Sequence, residues 1–228
     1  MLISRKLASF LMATSIAATT VAMAGAPAHA NPSAAPAASN VSVAMQSMME
    51  LYPGSQVVSE DTLRIAPGIE ISMPADQPRD QRVLSKQEVA AELAAPRPVR
   101  PAPAAPPQGS TKMLGERASV AAGSTLWDCA YQYLCLYQNA SFGGYKIRFL
   151  QCGFMDLGTI SFPTGGKWND KVTSYINNQT TNTTSIFYNW NGVERSWDYL
   201  FSSSATNYDY NIGTSRGYND IIDGVHVC

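Results

Sequence analysis

Trp168-Asn169-Asp170-Lys171-Val172-Thr173-Ser174-Tyr175-Ile176-Asn177-Asn178 is the stretch from which the fold of this chain is predicted. It joins a polar hexapeptide, Asn-Asp-x-x-Thr-Ser, to an apolar run that is typical of a strand. The same layout returns fifty positions later as Tyr218-Asn219-Asp220-Ile221-Ile222-Asp223-Gly224-Val225-His226-Val227. An internal repeat dictates architecture, and two copies predict a duplicated β unit that closes one core rather than a solenoid.

The sequence between and before these two stretches is also typical of strands. Tyr145, Ile147 and Phe149 alternate with Lys146 and Arg148, which is the pattern of a strand with one buried face. Six strands are predicted here, at residues 134–138, 145–150, 172–177, 185–189, 195–201 and 225–228. The fold class is therefore predicted to be all-β.

The N-terminus has the pattern of a secretory signal peptide. Arg5 and Lys6 precede an apolar run over residues 7–24, and Ala28-His29-Ala30 is an Ala-x-Ala cleavage signal. We predict a signal peptide over residues 1–30 and a secreted, extracellular protein without a membrane span after cleavage. An uncleaved N-terminal anchor is the alternative.

Residues 31–112 differ in composition from the rest of the chain. Thirteen of the fourteen prolines lie at or before Pro107, and only two of the 22 aromatic residues precede Trp127. We predict a flexible leader or propeptide with a possible small helix-plus-hairpin lobe, and a separate domain over residues 113–228. The lobe's predicted elements are helices at 41–51 and 85–94 and strands at 56–58, 63–65 and 69–73.

A proline-rich spacer over residues 97–107 ends the leader. Proline fixes φ and removes a donor, so the spacer is expected to be extended and semi-rigid, with few contacts crossing it. Residues 31–112 are therefore expected to be dispensable for folding. The arginines of the spacer mark either a processing site or a plain linker.

Charge and cysteine content narrow the class of protein. A formal net charge of −1 over 228 residues gives no electrostatic bias toward nucleic acid. Cys129, Cys135, Cys152 and Cys228 form an even set in an exported chain, which predicts two disulfides in one of three pairings. Zinc is disfavoured because His226 is the only histidine that remains after processing.

No catalytic motif stands out. His226 lies within a predicted strand, and the chain has no nucleophile elbow, phosphate loop or metalloprotease His-Glu motif. Nothing singles out a pair of carboxylates for glycoside chemistry. The protein is therefore predicted not to be an enzyme.

Two motifs resemble a known fold. Tyr137-x-x-x-x-Phe142-x-Gly144, followed by Asn169-Asp170-x-x-Thr173-Ser174, resembles one Greek-key motif of the βγ-crystallins. In that motif the aromatic pair packs a folded hairpin, the glycine forms its turn and the final serine hydrogen-bonds back onto it. The longer sequence that contains these motifs, from Cys135-Leu136-Tyr137 onward, is similar to the secreted actinobacterial metalloproteinase-inhibitor (SMPI-type) family.

This resemblance implies a βγ-crystallin-like domain of two Greek-key motifs over residues 113–228. It also implies a monomeric inhibitor of a secreted protease, with a metalloprotease as the expected target. The inhibitor would insert a rigid loop into the active-site cleft. The candidate loops are the longest irregular stretches, 153–167 and 202–218. By analogy and proximity, Cys129 is expected to pair with Cys135 and Cys152 with Cys228. The second copy departs from the motif, since Gly192 and Gly224 replace Phe142 and Ser174.

The polar hexapeptides are candidate calcium clamps by the same resemblance. We define the first clamp as Asn169, Asp170 and Thr173, and the second clamp as Asn219, Asp220 and Asp223. These side chains offer the hard oxygens that calcium prefers, although the same residue types also cap turns. The alternative functions are therefore a calcium-binding crystallin-like protein without inhibitory activity, or a carbohydrate-binding module that uses four aromatic residues. Those aromatic residues are Trp190, Tyr208, Tyr210 and Tyr218.

Overall fold

The computed structural model describes residues 42–74, 84–103 and 126–228. Its helices in these ranges are α1 (Val43–Leu51), α2 (Lys86–Ala94) and α3 (Ile212–Arg216). The strands are β1 (Gln56–Ser59), β2 (Thr62–Ala66), β3 (Ile69–Ser72), β4 (Leu134–Tyr137), β5 (Lys146–Phe149), β6 (Gly153–Asp156), β7 (Ser174–Asn177), β8 (Thr184–Asn191), β9 (Ser196–Ser204), β10 (Asn207–Asp209) and β11 (Gly224–Val227). Within the described ranges no helix is long and apolar enough to cross a membrane. The predicted signal peptide and the predicted boundary at residues 112 and 113 lie outside them.

Two antiparallel sheets contain all of the described strands. One sheet has the order β1-β2-β3-β5-β4-β7-β10, and the other has the order β6-β11-β8-β9. The first copy of the repeat supplies β4 to β7 and the second copy supplies β8 to β11, so β6 and β10 each lie in the other copy's sheet. The order β5-β4-β7-β10 thus has its counterpart in β9-β8-β11-β6, which is the arrangement of two Greek-key motifs.

The all-β and two-motif predictions are confirmed by this arrangement. Strand β7 begins at Ser174 and β11 begins fifty residues later at Gly224, and β4 and β8 begin at the same offset. Two strands, β6 and β10, were missed. In β6 the two large apolar residues, Phe154 and Met155, are adjacent and so do not alternate, and β10 has only three residues.

The folded hairpin of the first copy has the contacts that its motif predicts. The Tyr137 and Phe142 ring centroids lie 5.4 Å apart, and Gly144 has a φ of 76°, which favours glycine. The buried Ser174 Oγ donates to the Asn139 carbonyl at 2.6 Å and accepts from the Phe142 N–H at 3.1 Å. This serine therefore ties the hairpin to the start of β7.

The core lies between the two sheets and is rich in aromatic side chains. Phe187 stacks on Phe201 with centroids 4.3 Å apart, and Tyr175 packs against Phe187 at 4.9 Å. Trp168 is fully buried and meets Phe162 edge-on. Each fully buried side chain of this size contributes about 1.5–3 kcal/mol to folding, so the repeat's own aromatics supply much of the driving force.

The leader does not behave as the separate segment that its composition predicts. Its predicted helices and strands are present as α1, α2 and β1 to β3, but β3 pairs with β5 and extends the first copy's sheet. Met45 and Met48 of α1 are fully buried in the same core cluster as Phe149 of β5. The expectation that few contacts cross from the leader is therefore wrong for residues 42–74 and 84–94. Composition misled here because strand pairing uses backbone groups, which any sequence supplies.

A buried carboxylate joins the leader to the repeat. Glu70 of β3 is 1% exposed and lies directly opposite Arg64 of β2 and Arg148 of β5 in the sheet register. Arg64 Nη2 donates to Glu70 Oε1 at 2.7 Å, and Arg148 Nε donates to Glu70 Oε2 at 2.5 Å. Glu70 is thus held by two charge-assisted partners from both neighbouring strands.

Two disulfides brace the repeat. They join Cys129 to Cys135 and Cys152 to Cys228, the pairs that analogy and proximity favour. The first bond joins the turn before β4 to the second residue of that strand. The second bond joins the chain end, beside β11, to the residue before β6, and so secures a strand pair formed between the two copies.

We expect Ser174→Ala to lower the free energy of unfolding by about 1–3 kcal/mol, because it removes two hydrogen bonds of a fully buried hydroxyl, one to the Phe142 N–H and one to the Asn139 carbonyl. Denaturant unfolding followed by circular dichroism measures this change. Ser59→Ala is the matched control, since the Ser59 hydroxyl bonds to Asp61 at an exposed site. Equal losses in the two variants would contradict the role assigned to Ser174.

We expect Glu70→Gln to cost about 3 kcal/mol, because it removes the charge that compensates two arginines. Since Glu70 connects the leader to the repeat, the whole protein should still unfold in one transition at a lower denaturant concentration. Glu60→Gln, at an exposed turn between β1 and β2, is the control. A separate leader transition, with the midpoint of the repeat unchanged, would show that the leader folds independently.

Candidate functional site

The two clamps are brought together by the strand exchange. Thr173 Oγ1 of the first clamp lies 3.3 Å from Asp220 Oδ1 of the second. In both clamps the asparagine Nδ2 donates to the following aspartate, at 2.8 Å in the first and 2.6 Å in the second. Asp170 and Asp220 also share a left-handed backbone, with φ values of 57° and 52°. The clamps are therefore equivalent turns that contact one another across the repeat.

Asp223 has a structural role in the second hairpin that the sequence did not predict. Its Oδ2 accepts the backbone N–H of Trp190 at 2.9 Å, and so it holds the second hairpin in place of the missing serine. Its other oxygen, Oδ1, is buried without a hydrogen-bond partner. Burial is the main cause that raises the pKa of this carboxyl to about 6. The charge of Asp170 also acts to raise the pKa, while the Trp190 N–H and Arg100 oppose the change.

The clamp residues offer oxygen ligands of the kind that calcium takes. Asp170 and Asp220 are exposed carboxylates, and Asp223 is a buried one. Among the described residues, however, no three histidine, cysteine, aspartate or glutamate side chains converge on one point. A calcium ion here would depend on amide, hydroxyl, backbone and water oxygens for most of its shell.

A tight turn before β4 forms a second candidate site. Leu126 and Cys129 exchange two backbone hydrogen bonds, at 3.0 and 2.9 Å, and Trp127 between them has a φ of 51°. Asp128 accepts from Tyr137 Oη at 2.5 Å and pairs with Lys146 Nζ at 2.8 Å. Together with the Cys129–Cys135 bond, these contacts hold the turn rigidly on the sheet.

Trp127 belongs to an exposed group of rings, which we call the aromatic patch. The patch consists of Trp127, Phe142, Tyr208 and Tyr210, and its ring centroids lie 4.6–6.2 Å from one another. Trp127 is 49% exposed and Tyr210 is 47% exposed. Large rings that remain this exposed while packing on one another are typical of a binding surface.

The structure divides the four aromatic residues predicted for sugar stacking among three places. Tyr208 and Tyr210 lie in the aromatic patch, whereas Tyr218 stacks on Phe201 with centroids 6.0 Å apart. Trp190 packs edge-on against Trp197 at 5.0 Å. The four rings therefore do not form one platform, although two of them share a surface with Trp127.

The two predicted loops have different surroundings. In residues 153–167, the Ser161 N–H donates to Tyr52 Oη of the leader at 2.5 Å, and Glu92 of α2 accepts from Ser161 Oγ and pairs with Lys167. This loop is thus covered by the leader. Residues 202–218 instead contribute β10, α3 and the exposed ring of Tyr210.

One residue of the candidate sites was not predicted from the sequence. Trp127 was not singled out, although an aromatic residue two positions before a cysteine in a short disulfide loop is a usable signal. His226 lies in β11, where it is opposite Phe154 and Ile186 in the register. Because β11 lies between β6 and β8 in the sheet, we interpret this histidine as a structural residue.

The chain is similar to a protein family and to a solved structure. A solved structure titled "Evolution of the eye lens beta-gamma-crystallin domain fold" is 20% identical, covers 43% of this chain and 87% of that one, and has a TM-score of 0.33. A search of curated proteins finds no match. The model of peptidase inhibitor family I36 matches residues 122–199, which include the whole first copy and most of the first hairpin of the second. Over residues 122–199 the chain is therefore similar to peptidase inhibitor family I36, and the family resemblance predicted from its sequence is confirmed.

Proposed function

We propose that this protein is a secreted inhibitor of an extracellular metalloprotease and that it presents the turn at Trp127 to the active-site cleft. The observation that supports inhibition is the match of residues 122–199 to peptidase inhibitor family I36. That match favours a protease as partner and a role other than catalysis. The class of protease is inferred because the sequences Cys135-Leu136-Tyr137 and Asn169–Ser174 resemble those of the SMPI-type family.

The choice of the turn follows from its rigidity and exposure. An inhibitor loop that is already held in its bound shape loses little conformational entropy on binding. The disulfide, the paired backbone of Leu126 and Cys129 and the anchored Asp128 supply such rigidity. Trp127 and Tyr210 supply exposed aromatic area, and tryptophan and tyrosine are enriched among residues that dominate binding energy.

Secretion is part of the proposal. It is supported by the signal-peptide pattern of residues 1–30 and by two disulfides, which persist in oxidising compartments. The proposed partner is therefore a secreted protease, bound by a single copy of this protein. Nucleic acid and lipid surfaces are not proposed as partners, given the formal net charge of −1.

Titration of a panel of secreted proteases with the purified protein tests the function. The panel contains zinc metalloproteases, serine proteases and cysteine proteases, and we expect stoichiometric loss of activity in a metalloprotease alone. Inhibition confined to another class would overturn the proposed target while leaving inhibition intact. Full activity of every protease at micromolar protein would overturn the inhibitory function itself.

We expect Trp127→Ala to raise the inhibition constant about 30-fold, or roughly 2 kcal/mol, if the turn is the contact surface. The midpoint of unfolding should change little, because nearly half of the Trp127 surface is exposed. Val193→Ala removes another exposed apolar side chain, 95% exposed in the hairpin between β8 and β9, and should leave inhibition unchanged. Wild-type inhibition by the Trp127 variant would move the contact surface elsewhere.

We also propose calcium binding at the clamps as a second function. It is favoured by the contact of Thr173 with Asp220 and by the buried, unpartnered Oδ1 of Asp223. Asn169, Asp170 and Thr173, with Asn219, Asp220 and Asp223, would hold the ion. Calcium would supply charge compensation and cross-linking of the two copies, and it is not required for the inhibitor proposal.

Calcium at about 100 times its dissociation constant should stabilise the folded protein by roughly 2.7 kcal/mol. We expect Asp170→Asn to abolish most of this gain, because it removes an exposed carboxylate from the first clamp. Thermal midpoints in calcium and in chelator measure the effect, with Asp198→Asn on the exposed face of β9 as the control. Identical midpoints in calcium and chelator for the wild-type protein would limit the clamps to their role as turns.

A further inference from the structure

Arg100, in the proline-rich spacer, is inserted between side chains of the repeat. Its guanidinium carbon lies 5.2 Å from the ring centroid of Trp190 and 5.7 Å from that of Trp197. Its Nη1 lies 3.5 Å from Asp156 Oδ1, and only 16% of its side chain is exposed. Arg97, three residues earlier in the same spacer, is exposed. The two arginines of the spacer therefore have different environments.

The backbone next to Arg100 is also recognised. The indole Nε1 of Trp197 donates to the carbonyl of Pro101 at 2.6 Å. Residues 96–103 form no helix or strand, so no sheet pairing or helix packing holds this segment on the repeat. The described contacts that hold it there are those of the Arg100 side chain and the Trp197 indole. Proline at positions 98, 101 and 103 keeps the segment extended and limits the entropy lost on docking.

The surface that receives Arg100 is shaped for a guanidinium group. A side chain at Gly158 would place its Cβ 3.0 Å from Arg100 Nη1 and 3.1 Å from Arg100 Cζ, so glycine leaves the space that the group fills. Asp156 Oδ1 is fixed by the Gly158 N–H at 2.8 Å. Asp156 Oδ2 is buried and has no hydrogen-bond partner, which leaves acceptor capacity for a further donor.

Strand exchange creates this surface. Asp156 and Phe154 belong to β6 of the first copy, while Trp190 and Trp197 belong to β8 and β9 of the second. The Phe154 ring packs edge-on against Trp197 with centroids 4.8 Å apart and so orients the indole. Two aromatic faces and a carboxylate around one planar cation favour arginine over lysine, because a planar guanidinium can stack on aromatic rings while it pairs with a carboxylate.

We propose that Asp156, Gly158, Trp190 and Trp197 form a binding site for an arginine side chain followed by an extended, proline-containing backbone. We call these four residues the arginine site. In the full chain Arg100 and Pro101 occupy it from within the same molecule. When that segment leaves, the site accepts an arginine-proline segment of a partner protein. The proposal does not depend on protease inhibition, since the arginine site shares no residue with the aromatic patch.

The test uses the full chain with its tryptophan indoles labelled with nitrogen-15. The chain has four tryptophans, so the Trp197 indole signal can be assigned by comparison with Trp197→Phe. Arg100→Ala empties the site, and the first probe is ethylguanidinium, which matches the end of the lost side chain. We expect a saturable shift of the Trp197 signal in Arg100→Ala, and no shift in the wild-type protein or in Arg97→Ala, where Arg100 still fills the site.

Two further comparisons define the chemistry. Ethylammonium should bind at least tenfold more weakly than ethylguanidinium, and adding Asp156→Asn to Arg100→Ala should weaken ethylguanidinium at least tenfold. The second probe is the peptide acetyl-Val-Arg-Pro-Ala-amide, which should shift the Trp197 signal of Arg100→Ala. Its lysine analogue should bind at least tenfold more weakly. Equal binding of the arginine and lysine forms of both probes would overturn the proposal.

A second variant keeps the test decisive if Arg100→Ala fails to fold. Gly158→Ala adds a methyl group where the Arg100 guanidinium lies and leaves Arg100 in the chain. We expect it to displace Arg100, to shift the Trp197 indole signal, and to make the Val99–Arg100 bond at least tenfold faster to cleave by elastase, which cuts after small apolar residues. An unchanged indole signal with unchanged cleavage in this variant would overturn the proposal, as would absence of any probe response in a folded Arg100→Ala protein.

Discussion

The exchange of β6 and β10 between the two copies is the constraint on which the rest of this structure depends. Each strand completes the other copy's sheet, so neither copy has a full set of backbone partners alone. The exchange also builds both candidate binding surfaces. Strand β10 brings Tyr208 to Phe142 and Trp127. Strand β6 places Asp156 against the same arginine that Trp190 and Trp197 contact. The same strand exchange therefore completes the two sheets and places the residues of the two surfaces together.

The leader uses the edge that this exchange leaves open. Strand β5 would otherwise end its sheet, and unpaired edge strands are prone to pairing with other chains. Pairing with β3 covers that edge, while Glu70 joins Arg64 and Arg148 across three strands. Farther along, Glu92 contacts Lys167 and Arg100 fills the arginine site. The leader therefore contacts the repeat at its sheet edge, at the 153–167 loop and between the two tryptophans.

The candidate surfaces could be predicted only in part. Asn169, Asp170 and their counterparts were found because they recur at a fixed offset, and the turn chemistry of Asn and Asp is local. The hairpin role of Asp223 was missed because its partner, the Trp190 N–H, is 33 residues away in sequence. Trp127 was missed for a similar reason. Its neighbours Tyr208 and Tyr210 reach it only through β10, a strand of three residues with no visible alternation.

The hairpin contacts of Tyr137, Phe142, Gly144 and Ser174 were predicted from the resemblance to a βγ-crystallin motif. The sequence by itself determined the all-β class and the fifty-residue repeat. These features depend on side-chain periodicity and on the conformational preferences of single residues, and both are visible along the chain. Only the tertiary structure decided the strand order, the inclusion of the leader in the sheet and the docking of Arg100. Strand pairing uses backbone groups that every residue has, so the choice of partner depends on which edges the folded core leaves free.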